Sequence, residues 1–249
     1  MAYDAFARYY DSLTDNVEYE KRAAFVCRLL SFCGISDGLL LELGCGTGSL
    51  TALLAERGFD VIGVDTSVGM LNAARAKCAP LGDKVLLLRQ DMAALDLFGT
   101  VRSCVCALDG LNHLPDRDAL RRTFEGVALF TEPGGAFVFD VNTVHKHRAV
   151  LANNAFVIEN DTVFCAWQNA LQPDDSVEIT LDFFEETADG TYERSWEQFT
   201  ERAWPLAELS AMLEAAGFEV LGIYDDLTDA PAGETTERAT FLARKKATP

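Results

Sequence analysis

The chain has 249 residues, 49% of them hydrophobic and 24% charged, which suits a globular protein with one large α/β domain or a core with an insertion. Its 39 acidic residues outnumber 21 basic ones, so the formal net charge is −18. This charge disfavours nucleic acid as a partner, because such binding depends on Lys and Arg neutralising phosphates. The polar N-terminus lacks a signal-peptide pattern and no apolar run is long enough for a membrane span, so we expect a cytoplasmic protein.

The seven cysteines and three histidines bear on redox state and on metals. The cysteine count is odd, no two cysteines form a C-x-x-C pair, and several lie in apolar runs such as residues 103–108, so buried free thiols are expected. No metal site is expected, because two of the three histidines, His145 and His147, share one short segment.

The first 150 residues alternate between strand and helix patterns. Apolar residues recur at helical spacing over residues 1–33, and the apolar run Gly38–Leu43 predicts a strand buried on both faces, which a helix at 49–58 follows. Four more strands are predicted at 59–65, 84–91, 102–109 and 136–142, with helices at 67–78 and 117–130. This alternation is typical of a Rossmann-like, doubly wound, mostly parallel sheet with helices on both faces.

The pattern changes after about residue 150. Three strands joined by short turns are predicted at 155–172, 176–187 and 191–204, and they would therefore be antiparallel. A helix at 205–217 and strands at 218–226 and 237–245 complete the core. We therefore predict an α/β fold with a seven-stranded core sheet (residues 1–150 and 204–249) and a small antiparallel insertion after the fifth strand (residues 151–203).

Glycines cluster where the first strand meets its helix. Gly44, Gly46 and Gly48 follow the acid Glu42 there. Glycine lets the backbone approach a ligand, and the helix N-terminus offers unpaired N–H groups. By itself this pattern is weak, since a tight turn without a ligand would also explain it.

Three acids at the ends of successive strands strengthen the signal. Asp65, Asp91 and Asp109 follow the second, third and fourth strands, at the edge where parallel sheets bind ligands. A dinucleotide fingerprint would need glycine at position 49, where this chain has Ser49, and a pyrophosphate would not favour Glu42 nearby. A cofactor with cationic groups tolerates acids. A nicotinamide-dependent oxidoreductase is therefore the weaker alternative.

The segments LELGCGTG, VIGVDTSVGML and LLLRQDM resemble the first three motifs of the class I S-adenosylmethionine (SAM)-dependent methyltransferases. The resemblance covers about residues 35–145, and the opening segment resembles the leader of a bacterial subgroup in which an N-terminal helix forms a lid over the cofactor. It implies SAM as cofactor and a glycine turn that cradles the methionine moiety. Asp65 would hold the ribose hydroxyls, and Asp91 would accept from the adenine amino group.

The resemblance also implies roles for side chains around these motifs. Met70 would pack near the adenine, and Tyr10 would reach the cofactor carboxylate or the reacting methyl group, although plain packing would explain both residues as well. The expected cofactor-binding residues are Tyr10, Glu42, Gly44, Cys45, Gly46, Gly48, Asp65, Thr66, Met70, Asp91, Met92 and Asp109.

The acceptor side is less defined. His113, after the fourth strand, is the expected base or acceptor-orienting group, with Tyr10 as the second catalytic candidate. The alternative for His113 is a loop residue capping the helix that starts near Asp116, and His145 and His147 are weaker candidates. The Pro-Pro-aromatic and Pro-Cys motifs of nucleic-acid methyltransferases are missing from the sequence.

The insertion, rich in acids and aromatics, would roof the substrate pocket and suit an amine or another cationic acceptor. A solvated sheet face over a buried aromatic face would explain the same residues, and the strands could also pair across a homodimer. We predict methyl transfer to a small-molecule amine or hydroxyl by in-line displacement in a desolvated cleft. The alternatives are a SAM-binding protein without methyl transfer and a macromolecule-directed methyltransferase.

Overall fold

The computed structural model describes residues 6–14, 17–161 and 163–247. The strands in chain order are β1 (Gly38–Leu43), β2 (Phe59–Asp65), β3 (Val85–Arg89), β4 (Val101–Cys106), β5 (Thr131–Asn142), β6 (Ala155–Glu159), β7 (Val163–Leu171), β8 (Val177–Glu186), β9 (Tyr192–Glu201), β10 (Phe218–Asp225) and β11 (Arg238–Lys245). The α-helices are α1 (Tyr10–Leu13), α2 (Tyr19–Phe32), α3 (Ser49–Glu56), α4 (Val68–Cys78), α5 (Arg117–Phe130) and α6 (Leu206–Ala215).

The core sheet has seven strands in the order β10-β11-β5-β4-β1-β2-β3. β1 to β5 run parallel, whereas β11 pairs antiparallel with both β5 and β10. The prediction of a Rossmann-like, mostly parallel seven-stranded sheet is confirmed. Because β1 to β4 are parallel, their carboxyl ends lie at one edge of the sheet, and the glycine turn and the three predicted acids follow those ends.

Both faces of the core sheet are covered by helices, as the continuous apolar runs predict. Alternate strand residues supply the two faces: Leu41 packs in one cluster with Phe124 of α5 and Leu209 of α6. Its neighbour Leu40 packs in the other with Phe25 of α2 and Leu54 of α3. These two clusters fix the sheet edge that carries the site.

The insertion forms a second sheet, which we call the roof sheet, in the antiparallel order β6-β7-β8-β9. The antiparallel insertion after the fifth strand is confirmed, but the prediction of three strands was wrong, since residues 155–171 form two strands, β6 and β7. Asn160 makes the turn between them, because its side chain accepts a hydrogen bond from the Val163 N–H at 3.0 Å and its own N–H donates to the Val163 carbonyl at 3.2 Å.

The N-terminal region is not the single helix predicted for residues 1–33. A 3₁₀ turn, Phe6–Arg8, and the short α1 precede α2, and Glu18 before α2 has φ of 51°, a left-handed conformation that a continuous helix cannot contain. Residues 1–5 and 15–16 lie outside the described chain. Within the described ranges, no helix is both long and apolar enough to cross a membrane.

The N-terminal segment (residues 6–14) contacts both sheets. Tyr9 stacks on Phe183 of the roof sheet with ring centroids 5.1 Å apart, and its hydroxyl donates to Glu185 at 2.7 Å. On the core side, Asp11 accepts a hydrogen bond from the Thr47 hydroxyl at 2.6 Å and pairs with Lys77 at 2.7 Å. The segment therefore bridges the core and the insertion.

Candidate active site

A cavity of about 550 Å³ lies at the carboxyl ends of β1 to β4. The N-terminal segment and the roof sheet also line it. Of the residues predicted from the sequence, all but one contribute to its wall, namely Tyr10, Glu42, Gly44, Cys45, Gly46, Asp65, Thr66, Met70, Asp91, Met92, Asp109 and His113. The sequence motifs thus meet in one cavity.

The glycine turn (Gly44–Gly48) uses its glycines in two ways. Gly44 and Gly46 have φ of 63° and 54° and line the cavity, and a Cβ on Gly46 would meet no described atom within 4 Å. Gly48, with φ of 78°, is the exception among the predicted residues, because it does not line the cavity. A Cβ there would lie 3.1 Å from the Cα of Ala74, so this glycine allows α3 and α4 to pack closely.

The acid at the end of β2 is held by backbone donors. Asp65 accepts hydrogen bonds from the Gly46 N–H at 2.9 Å and from the Ser67 N–H at 2.8 Å. Burial raises its pKa, and these N–H donors partly offset the increase. The glycine turn and the end of β2 are therefore joined through this carboxylate.

The acid after β3 begins a short 3₁₀ turn, Met92–Ala94. Asp91 accepts a hydrogen bond from the Ala93 N–H at 2.8 Å. The turn brings the Cε of Met92 to 3.4 Å from the position of a Cβ on Gly44. Met70 of α4 is buried and lines the same part of the wall.

Glu42 lies under the glycine turn and is only 3% exposed. Its Oε2 accepts a hydrogen bond from the Thr51 hydroxyl at 2.5 Å. Burial raises the pKa of Glu42 to about 8, and the charge of Asp65 contributes in the same direction. This carboxyl therefore holds its proton to a higher pH than an ordinary glutamate.

After β4 the backbone makes an unusual turn at the cavity wall. Leu108 and Asp109 have φ of 57° and 56°, which is rare for residues other than glycine. The two oxygens of Asp140 accept the Leu108 and Asp109 N–H groups at 2.9 and 2.8 Å. Asp140 also pairs with Arg22 at 3.2 Å and with Arg238 at 2.5 Å. A buried ion network thus holds the turn in this conformation.

Asp109, His113 and Glu201 form a cluster in the cavity wall, and we call it the acid–histidine cluster. Their ligand atoms all lie within 4.8 Å of one another, and His113 Nε2 is 3.7 Å from Asp109 Oδ2. Arg238 donates to the other oxygen of Asp109 at 2.5 Å. The sequence predicted no metal site, yet these three side chains are of the types that ligate metals.

The protonation of this cluster follows from its charges. Burial lowers the pKa of His113, but the hydrogen bond to Asp109 and the charge of Glu201 outweigh burial and raise it. Burial disfavours the charged form of Asp109 as well, yet Arg238 and His113 hold the pKa of Asp109 well below its usual range. His113 therefore carries more positive charge at neutral pH than a free histidine.

The alternatives for the three histidines are resolved by position. Asp116, not His113, caps α5, because its side chain accepts from the Ala119 N–H at 2.8 Å. His145 and His147 lie outside the cavity wall, and His147 is fully buried in the short π-helix Lys146–Leu151.

Sequence reasoning missed several residues of the site. Arg238 is the first residue of β11, which runs antiparallel to β5 and so begins at the edge where the parallel strands end. The predicted sheet topology could therefore have indicated Arg238 as a site residue. No sequence motif marked the roof-sheet residues that line the cavity. The wall residues that were not predicted include Tyr19, Ile158, Trp167, Leu181, Phe199, Glu201 and Arg238.

Comparison with known proteins bears directly on this cavity. Residues 40–135 match the family described as a methyltransferase domain. A protein of Geobacillus sp. (strain WCH70), whose name places it among the methyltransferases, is 33% identical over 247 residues, which are 98% of this chain and 100% of that relative. A SAM-dependent methyltransferase from Clostridium acetobutylicum ATCC 824 has a crystal structure that is 31% identical, covers 98% of this chain and 99% of its own, and superposes with a TM-score of 0.88.

A third similarity concerns the fold alone. SAM-bound CalS10, an amino pentose methyltransferase from Micromonospora echinaspora, is 20% identical, covers 95% of this chain and 96% of its own, and has a TM-score of 0.77.

The chain belongs to the class I SAM-dependent methyltransferases, and its cofactor is SAM. The side chains of the cavity fit this cofactor, since carboxylates suit its cationic groups and its ribose hydroxyls, and Met70 and Met92 offer apolar contacts. The nicotinamide alternative is therefore wrong.

Proposed function

We propose that this enzyme methylates a small-molecule amine or hydroxyl by in-line displacement in a desolvated cleft. The observation that carries the proposal is the shared cavity: Ile158, Trp167, Leu181 and Phe199 of the roof sheet line the same space as the cofactor motifs. A volume of about 550 Å³ lies within the range of small-molecule sites. Its apolar wall would exclude water around the reacting groups.

In this proposal the glycine turn holds the methionine moiety and Asp65 the ribose hydroxyls. Thr66, Met70, Asp91 and Met92 would surround the adenine, and bound SAM supplies an electrophilic methyl group on a sulfonium. Cys45, which burial keeps as a thiol by raising its pKa well above the usual value, would contribute shape rather than charge. The protein's own task is then mainly alignment.

His113 and Tyr10 would act on the acceptor side. Tyr10 keeps its proton, because burial raises its pKa well above the usual value, so its hydroxyl can donate a hydrogen bond. His113, whose pKa is raised, would donate to the acceptor more readily than a free histidine and would act as a base at higher pH. Asp109 would hold His113 in place.

Calorimetric titration with SAM and S-adenosylhomocysteine tests the cofactor half of the proposal. Asp65→Ala should abolish binding, whereas Asp60→Ala, an exposed acid on the same strand, should leave it unchanged. His113→Gln should keep the affinity for S-adenosylhomocysteine and lose turnover on a panel of small amines, phenols and alcohols. Undiminished turnover by His113→Gln would show that its assigned role is wrong.

The same panel distinguishes the alternatives. A SAM-binding protein without methyl transfer would bind the cofactor and leave every compound unmodified. A macromolecule-directed methyltransferase would label protein or RNA in a cell extract but no compound of the panel; the net charge of −18 argues against RNA. The cytoplasmic location and the homodimer through the roof sheet stay predictions. Light scattering on the protein as it leaves a size-exclusion column would test the homodimer.

A further inference from the structure

Three buried or nearly buried acids meet where the roof sheet joins the core, and two of them have arginine partners. Arg238 donates to both Asp109 and Asp140 at 2.5 Å, and Arg22 pairs with Asp140 at 3.2 Å. The third acid, Glu201 at the end of β9, is 4% exposed. Across the described ranges, no lysine or arginine nitrogen lies within 4.0 Å of its carboxylate, and its one ion-pair contact is to His147.

His147 does not supply a positive charge to Glu201. Its Nδ1 lies 2.8 Å from the Asp175 carbonyl, which can only accept, so Nδ1 carries the proton. Nε2 then holds a lone pair, is buried, and has no hydrogen-bond partner in the described structure, although Glu201 Oε2 lies only 3.7 Å away. Burial lowers the pKa of His147, which keeps the ring neutral. Two acceptors, His147 Nε2 and Glu201 Oε2, therefore face each other at 3.7 Å.

The remaining neighbours of Glu201 offset its charge only in part: His113 has a ring nitrogen within 4.8 Å of the carboxylate, but Asp109 shares that histidine. Asn142 donates to Oε2 at 2.9 Å, and Lys146 reaches only the other end of the Asn142 amide, at 2.9 Å. Burial and the charge of Asp109 raise the pKa of Glu201, which His113 and Lys146 partly offset. A cation arriving from the cavity would satisfy a carboxylate that the protein interior does not.

The cavity beside Glu201 has the right chemistry for such a cation. Glu201 lines it together with His113, and the aromatic rings of Trp167 and Phe199 line it as well. The Phe199 ring lies 5.4 Å from the His113 ring between centroids. Aromatic faces next to a desolvated carboxylate bind ammonium groups.

Resting on the proposed function, we propose that Glu201 is the anionic subsite for the methyl acceptor, and that the acceptor is an aliphatic amine that enters as its ammonium ion. His147 and Asn142 position the carboxylate. Because Arg238 pairs with Asp109 and Asp140, Glu201 is the one acid of these three without an arginine partner in the described structure. A hydroxyl compound carries no positive charge, so Glu201 adds little to its binding affinity.

The chemistry balances on this assignment. The ammonium N–H bond breaks and its proton passes to the Glu201 carboxylate, which leaves a neutral amine with a free lone pair. That lone pair forms the new N–C bond to the methyl carbon, while the C–S bond breaks and its electron pair stays on sulfur. The products are a methylated ammonium ion and S-adenosylhomocysteine, with the transferred proton on Glu201.

Matched probes test the charge requirement without knowledge of the natural acceptor. Benzylamine and benzyl alcohol differ in charge but hardly in shape. Each is titrated by calorimetry into the full chain saturated with S-adenosylhomocysteine, using wild type, Glu201→Gln and the control Glu197→Gln. Glu197 lies on the same strand and is 7% exposed, but it does not line the cavity.

Wild type and Glu197→Gln should bind benzylamine at least tenfold more tightly than benzyl alcohol, and Glu201→Gln should lose that preference while keeping its affinity for S-adenosylhomocysteine. If Glu201→Gln does not fold, Glu201→Asp should weaken benzylamine alone. Equal binding of both probes by wild type, or undiminished benzylamine binding by Glu201→Gln, overturns the proposal.

Two further outcomes separate this inference from the proposed function. Methylation of hydroxyl compounds without amine binding would overturn the amine subsite and leave small-molecule methyl transfer intact. Stoichiometric Mn²⁺ binding that Glu201→Gln abolishes would assign the acid–histidine cluster to a metal and overturn the amine subsite as well. Failure to bind SAM would refute the proposed function itself.

Discussion

Asp140 shows how much one buried side chain carries in this protein. It is 3% exposed and accepts from the backbone of two residues in left-handed conformations, Leu108 and Asp109, while it faces Arg22 and Arg238. Such backbone conformations cost about 1–3 kcal/mol each and persist only where surrounding contacts impose them. Asp140 therefore positions Asp109, and through it His113, without lining the cavity.

Replacing this side chain should destabilise the whole chain. Asp140→Ala leaves the buried Arg22 and the partly buried Arg238 without their shared partner, and removing one member of a buried pair typically costs about 3–5 kcal/mol. Urea denaturation would measure the loss. Asp118→Ala removes an exposed acid from a pair with Arg121 and should leave the midpoint unchanged. Equal stability of Asp140→Ala and wild type would contradict the role given to the network.

Glu42 should make stability depend on pH. Its folded pKa of about 8 exceeds the ordinary value of 4.5, so the folded state binds this proton more tightly. The contribution is therefore complete below about pH 4.5 and is lost as the pH rises through 8, in total on the order of a few kcal/mol. Glu42→Gln should flatten that part of the profile in urea titrations at several pH values. An unchanged slope in the variant would rule out Glu42 as its source.

At the scale of elements, the N-terminal segment connects the glycine turn to the roof sheet and lines the cavity with Tyr10, Leu13 and Thr14. It is tied to the glycine turn by Asp11, which contacts Thr47, Ser49 and Lys77. It is tied to the roof sheet by Tyr9. The Asp11 side chain is half exposed and its contacts are polar, so they are individually weak, whereas the Tyr9 ring packs in a hydrophobic cluster.

Asp11→Ala should therefore act on ligand exchange more than on folding. Exposed pairs contribute about 0–1 kcal/mol, so we expect S-adenosylhomocysteine to dissociate up to about five times faster in stopped-flow measurements. The melting temperature should barely change. Asp37→Ala, which removes an exposed acid near Arg102 away from the cavity, is the control. An unaltered dissociation rate would mean that this contact does not restrain the segment.

The elements that could be predicted are those with strong local patterns. β1 and β2 are continuous apolar runs ended by glycine or acid, and the structure places them at the predicted residues. β6 and β7 were predicted as one strand, because only Asn160 and Asp161 signalled the turn and no glycine or proline marks it. The break before α2 was missed although the turn-forming types Asp15 and Asn16 precede it in the sequence, and Glu18 itself has no intrinsic preference for a left-handed conformation.

At the scale of the whole molecule, the net charge of −18 sets the response to salt. Like charges repel more in the compact state than in the unfolded one, and salt shortens the Debye length from about 30 Å at 0.01 M to about 3 Å at 1 M. The melting temperature should therefore rise by a few degrees as NaCl increases over that range. KCl should act equally, and a steady decrease would mean that surface ion pairs outweigh the repulsion.

The residues of the site also differ in whether the sequence could predict them. Residues next to a motif, such as Asp65 and Asp91, could be found because parallel strands bring their ends to one edge. Glu201 could not be predicted as a site residue. Its carboxylate is positioned by a hydrogen bond from Asn142, 59 residues away in the sequence, and no short sequence pattern indicates such a pairing. The residues next to motifs, His113 among them, could thus be predicted from the sequence, whereas Glu201 and the other roof-sheet residues of the cavity required the structure.

The roof sheet enters the chain as one uninterrupted stretch between β5 and α6 and supplies Ile158, Trp167, Leu181, Phe199 and Glu201 to the cavity. None of the glycine turn or the acids at the ends of β2 and β3 belongs to it. On the proposed function, changes within this one stretch alter which compound is methylated and leave the glycine turn and these acids untouched. Grafting residues 155–201 between relatives would test whether the acceptor preference moves with the roof sheet.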